Sequence, residues 1–240
     1  MNKYGRIILI LISTIYSLVM FPDILLARCN SYKAPSMIII IGIDASFSMN
    51  YPKEDTCIAN IFNYISLQRE PALVDIILFG FGADVIYTGL CNNKLNTIIT
   101  KITQDTHQLP DTFRSRTDIV NVLEQIKSQL ALDESEYKGN NHKEIVIVSD
   151  LLDDPLGDVP LNIPSSRLTA ISNDLTDIAR RADKIFIFQA DPNAIPQYEP
   201  YLSSLIRENK LVIEPSNISQ KDACKRIVFP DFWSFPRVYL

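Results

Sequence analysis

From residue 36 onward the apolar positions switch repeatedly between two periods. Positions 37–43 are an unbroken apolar run rich in β-branched residues, as expected of a strand covered on both faces. Cys57, Ile58, Ile61, Phe62 and Ile65 then recur at helical spacing. Two strands follow, 74–79 and 85–88, separated by Gly80, Gly82 and Asp84, a spacing that predicts a hairpin. Leu95, Ile98, Ile99 and Ile102 mark one amphipathic helix, and Ile119, Val122, Leu123 and Ile126 mark another. A buried strand is predicted at 144–148. Ser165 and Ser166 are placed to cap a helix whose inner face carries Leu168, Ile171, Leu175, Ile178 and Ala182. A strand at 185–188, helical residues at 201–206, a short strand at 211–213 and a last helix at 220–227 complete the pattern.

Strands alternating with helices predict an α/β fold: a doubly wound, mostly parallel, Rossmann-like sheet with one antiparallel edge strand and helices on both faces. No repeat or long linker interrupts 36–228, which reads as one domain. Segment 229–240 is aromatic and broken by prolines, and is expected to pack on that domain as a tail. At the other end, Lys3 and Arg6 precede an apolar stretch, 7–21, closed by Pro22 and Asp23. Residues 1–31 therefore read as a signal peptide or an N-terminal membrane anchor. The stretch is shorter than the roughly 20 residues of a spanning helix. Either reading implies export, to the periplasm, the cell exterior or a membrane-anchored position, and leaves membrane attachment through this segment open.

Composition narrows the functions. The chain has 240 residues and a formal charge of −5, which speaks against a phosphate-tracking nucleic-acid surface. With 2 histidines, His107 and His142, a histidine-rich zinc site or a histidine-based triad is hard to assemble. The 4 cysteines, Cys29, Cys57, Cys91 and Cys224, contain no CxxC pair. Export would permit a disulfide, although Cys57 and Cys224 on helices are expected to act as small buried hydrophobes.

Polar clusters fall where strands end or helices begin, the place where open α/β sheets bind ligands. Asp44-Ala45-Ser46-Phe47-Ser48 directly follows the first strand, Thr117 precedes a helix, and Asp150 follows the 144–148 strand. Asp44, Ser46, Ser48, Thr117 and Asp150 are all hard oxygen donors, suited to Mg²⁺, Mn²⁺ or Ca²⁺. Asp153 and Asp154 are expected to be solvated loop acids, while Arg114 and Arg116 flank Thr117 with positive charge.

In this element order the D-x-S-x-S pattern, the later threonine and the aspartate closing a strand resemble the metal-ion-dependent adhesion site of von Willebrand factor type A domains. The resemblance implies a non-enzymatic module that recognises an acidic group of a protein ligand through a bound Mg²⁺, with Mn²⁺ or Ca²⁺ as alternatives. Ala45, and Leu151 after Asp150, stand where that family frequently has glycine. Two other functions compete: a metal-dependent phosphoester hydrolase, and a structural subunit of an envelope assembly held by the aromatic tail. Against enzymes, the loops offer no evident general base. Gly42 stands alone where a dinucleotide site needs G-x-G-x-x-G, and Ser46 lacks a nucleophile elbow.

Overall fold

The computed structural model describes residues 35–49, 51–66, 72–90, 109–139, 141–154 and 162–217. The segments 1–31, 95–102, 220–227 and 229–240, together with His107, Cys29, Cys91 and Cys224, lie outside the described residues. In chain order the elements are β1 (Met37–Asp44), α1 (Tyr51–Ser66), β2 (Ala72–Phe79), β3 (Ala83–Leu90), α2 (Asp111–Arg114) and α3 (Ile119–Glu136). They continue with β4 (His142–Val148), α4 (Ser165–Ala179), β5 (Lys184–Ala190), α5 (Ile195–Arg207) and β6 (Leu211–Pro215).

The strands form one 6-stranded sheet in the order β3-β2-β1-β4-β5-β6. Every neighbouring pair is parallel except β2 and β3, the predicted hairpin. β1 and β2 are buried along their whole length, which is why both read as apolar runs without alternation. Successive residues of β1 feed opposite cores. Ile38 and Ile40 join the layer built with α3, α4 and α5, whereas Ile39, Ile41 and Ile43 pack with Cys57, Ile58, Ile61 and Phe62 of α1. Asp44 pairs with Phe79 and Ile43 with Val148, so β1, β2 and β4 end level with one another. The loops that leave them begin side by side.

One local expectation is corrected. Ser165 and Ser166 do not cap α4: they are its exposed first helical residues, and the N-cap is Pro164, without a side-chain cap. The Pro164 carbonyl instead accepts from the amides of Arg167 and Leu168 (2.9 and 3.1 Å). Helical residues 201–206 belong to a longer helix, α5, with Pro196 in its first turn, where a missing N–H costs little, and Pro200 inside it. Among the described residues no helix is long and apolar enough to cross a membrane.

Beneath β2 lies a buried acid pair. Asp75 and Asp133 are 0% and 2% exposed. Gln129 Nε2 donates to Asp75 Oδ1 at 3.3 Å and to Asp133 Oδ1 at 3.1 Å. Asp75 Oδ2 and Asp133 Oδ2 find no donor among the described residues. A proton shared by the pair would satisfy both oxygens. Burial, with the charge of Asp133 adding to it, pushes Asp75 up to about 8, and burial raises Asp133 as well. The unfolded chain releases this proton near pH 3.9, whereas the folded chain keeps it to about pH 8. Stability therefore falls as pH rises between these values, by up to about 1.4 kcal/mol per unit. Asp75→Asn, which needs no proton, should flatten that slope and leave the protein more stable than wild type at pH 8. Urea unfolding at pH 5 and pH 8 measures both effects.

Candidate metal centre

Asp44, the last residue of β1, is fully buried. Its Oδ1 accepts from the Ser46 amide at 2.9 Å, and its Oδ2 accepts from the Ser149 hydroxyl at 2.8 Å. The Ser46 and Ser48 hydroxyl oxygens lie 2.9 Å apart, so the turn brings both to one side. Asp150 Oδ1 accepts from the Leu152 amide at 3.0 Å, while its Oδ2 is buried and finds no donor among the described residues. Thr117, 2% exposed, sits at the entry to α3. It forms a two-way backbone bridge with Asp154, Thr117 N to Asp154 O at 3.2 Å and Asp154 N to Thr117 O at 2.8 Å. Further backbone bonds knit the loops: Phe47 N to Arg114 O (2.9 Å), Phe81 N to Phe113 O (2.9 Å) and Asp118 N to Gly80 O (3.0 Å).

The electrostatics of the pair are unfavourable as they stand. Burial, reinforced by the charge of Asp150, pushes Asp44 up to about 7 against the pull of Ser46 and Ser149. Burial raises Asp150 too, with the Ser48 hydroxyl and the Leu152 amide opposing. Two buried carboxyls that feel each other's charge, an oxygen with no donor among the described residues and the hydroxyls of Ser46, Ser48 and Ser149 make a donor set that fits a hard divalent cation. Among the described residues no group of three or more His, Cys, Asp or Glu could hold a metal. A cation here would take its remaining ligands from hydroxyls and water.

Several neighbours escaped the sequence reading. Asp153 and Asp154 are not solvated: they are 1% and 7% exposed. Asp153 accepts from the Ile119 amide at 3.0 Å and from Arg167, whose Nε and Nη2 reach its two oxygens at 2.6 Å each. Arg167 Nη2 also reaches Asp118 Oδ1 at 2.7 Å, and Asp118 caps α3 through the Asn121 amide. Nothing local in the sequence marks Arg167; its partners lie 14 and 49 residues away. Ser149 had the better signal, as a hydroxyl at the end of a buried strand. Cys57 is disulfide-bonded rather than a free buried thiol. His142 opens β4 at the far end of that strand, between Glu144 (2.9 Å) and Asp183 (3.2 Å). Arg114 lies 4.4 Å over the Phe47 ring and Arg116 4.9 Å over the Phe81 ring. Both rings are about half exposed, at 52% and 54%.

Leu151 holds φ at +62°, so the position where relatives frequently have glycine does adopt the left-handed conformation. Its side chain is buried, and its carbonyl accepts from the Tyr198 hydroxyl at 3.0 Å.

No family model and no curated protein matches the sequence. Solved structures do. A von Willebrand factor type A protein from Catenulispora acidiphila is similar at 11% identity and a TM-score of 0.51, with 79% of this chain and 40% of that one covered. A point variant of the PilB minor pilin from Streptococcus sanguinis is similar at 12% identity and a TM-score of 0.50, with 78% and 59% covered. This chain thus spans less than two thirds of either protein. The likeness establishes the fold alone: it is the von Willebrand factor type A fold, which the resemblance implied.

Gly80 is irreplaceable on steric grounds, since a Cβ there would sit 2.4 Å from the Phe113 carbonyl oxygen. Gly80→Ala must push the 110–118 segment away and should cost about 1–3 kcal/mol, read as a lower midpoint in urea. Leu151→Gly relieves about 1–2 kcal/mol of backbone strain but removes a buried side chain worth about 2–5 kcal/mol. The packing loss wins, so calorimetry should show a lower Tm. A higher Tm would mean that strain dominates at this turn.

Proposed function

We propose that the chain is a non-enzymatic adhesion or assembly module that recognises an acidic group of a protein partner through a divalent cation. Asp44, Ser46, Ser48, Thr117 and Asp150 would hold that cation, Mg²⁺ first, with Mn²⁺ and Ca²⁺ as alternatives. The carrying observation is the buried carboxyl pair Asp44 and Asp150, with Asp150 Oδ2 lacking a donor among the described residues. A bound Mg²⁺ supplies open coordination positions, because it prefers six ligands and keeps several waters. A carboxylate from a partner can displace one of them.

The chain's own residues support a binding surface around such a site. Phe47 lies inside the D-x-S-x-S turn and Phe81 in the neighbouring turn, both about half exposed and each beneath a guanidinium. Aromatic and arginine side chains are what protein interfaces favour. His142 is engaged at the opposite end of β4, away from the site. Export accords with the disulfide at Cys57, since such bonds persist in oxidising compartments, and with a targeting segment at 1–31.

Asp44→Ala should abolish partner capture in a Mg²⁺- or Mn²⁺-dependent pull-down, and EDTA should release the partner from wild type. A partner that stays bound after chelation counts against metal-mediated recognition. Phosphatase turnover that vanishes in Asp44→Ala would favour the hydrolase instead. Loss of the partner on deleting 229–240, with Asp150→Ala harmless, would favour the structural subunit.

A further inference from the structure

We infer that Arg167 is the positioning residue of the cation site, holding the loop that bears Asp150 against the loop that bears Thr117. The inference rests on the cation reading above and concerns a residue outside its donor set.

Arg167 lies in the first turn of α4, and its guanidinium spans the two loops. Nε and Nη2 grip both oxygens of Asp153, three residues beyond Asp150, while Nη2 also reaches Asp118, the residue after Thr117. The two carboxylates are in turn fixed to the start of α3, Asp153 through the Ile119 amide and Asp118 through the Asn121 amide. The backbone bridge between Thr117 and Asp154 lies between them. The turn at Leu151 is thus anchored on one side by Tyr198 and on the other by Asp153. A planar guanidinium fixes the distance and the angle of a carboxylate together, whereas an ammonium fixes distance alone.

The same helices provide a control. α3 and α4 are also tied by Lys127 to Asp174 and, near their carboxyl ends, by Arg181 to Glu134 at 2.7 Å. Glu134 also receives Lys143, the second residue of β4, so this tie lies at the end of the sheet remote from Asp44 and Asp150. A purely structural role would make Arg167 and Arg181 equivalent. A positioning role makes them different.

The test is Mn²⁺ titration of the full chain, followed by electron paramagnetic resonance, at a temperature below the unfolding of every variant. Wild type should bind one ion. Arg167→Lys keeps the positive charge beside Asp153 but loses the fork, and should weaken Mn²⁺ binding about tenfold, the lower end of what lost orienting contacts around a metal usually cost. Arg167→Gln should weaken it further; should that variant not fold, the lysine variant carries the test. Arg181→Gln should bind within about twofold of wild type. Wild-type affinity in Arg167→Lys, or an equal loss in Arg181→Gln, would overturn the inference. A wild-type chain that binds no Mn²⁺ removes the cation reading itself, and the positioning role with it, before any variant is compared.

Discussion

The structure depends on burying β1 on both faces at the centre of the sheet. With every residue from Met37 to Asp44 covered, its neighbours must be strands and the layers above and below must be apolar. The sheet grows from β1 toward β2 and β3 on one side, and toward β4, β5 and β6 on the other. Chain direction of growth therefore reverses beside β1, between the ends of β1 and β4. That reversal leaves a crevice no crossover covers. Asp44 and Asp150 stand on its two sides because the pairing of Ile43 with Val148 brings both strand ends to the same level.

Much of this was legible in advance, because each strand advertises its burial. β1, β2 and β5 are covered on both faces, and read as apolar runs; β3, at the edge, is partly exposed and reads more weakly. Asp44 and Asp150 were legible as polar residues for the same reason: they fall where an apolar strand ends. Illegible were contacts set by the tertiary fold. Asp153 and Asp154 look like solvent-facing acids until α3 and α4 close over them. Arg167 resembles any helix arginine until its two partners converge. The caps of α4 failed as a prediction because hydroxyl capping competes locally with a backbone carbonyl, here that of Pro164.

Buried carboxyls divide the molecule into three electrostatic cases. Asp153, whose side chain is 0% exposed, is neutralised by a guanidinium. Removing one partner of such a pair typically costs about 3–5 kcal/mol, so the clamp is coupled to folding as well as to loop geometry. Asp75 and Asp133 share Gln129 as a donor, and burial raises both toward the protonated form. Asp44 and Asp150 have no ion-pair partner among the described residues, and burial raises both.

The difference between the second and third cases lies in the donors. Around Asp75 burial favours the neutral acid, since Gln129 contributes one amide nitrogen to two carboxyls and both outer oxygens lack a donor among the described residues. Around Asp44 both oxygens already accept, one from a backbone amide and one from a hydroxyl, and these two bonds oppose the burial that pushes the group up. Hydroxyls on Ser46 and Ser48 strengthen the distinction, because they can donate to a carboxylate or turn a lone pair toward a metal. Burial thus favours the protonated acid under β2, whereas the pair at the strand ends has the oxygen donors that the proposed cation would need.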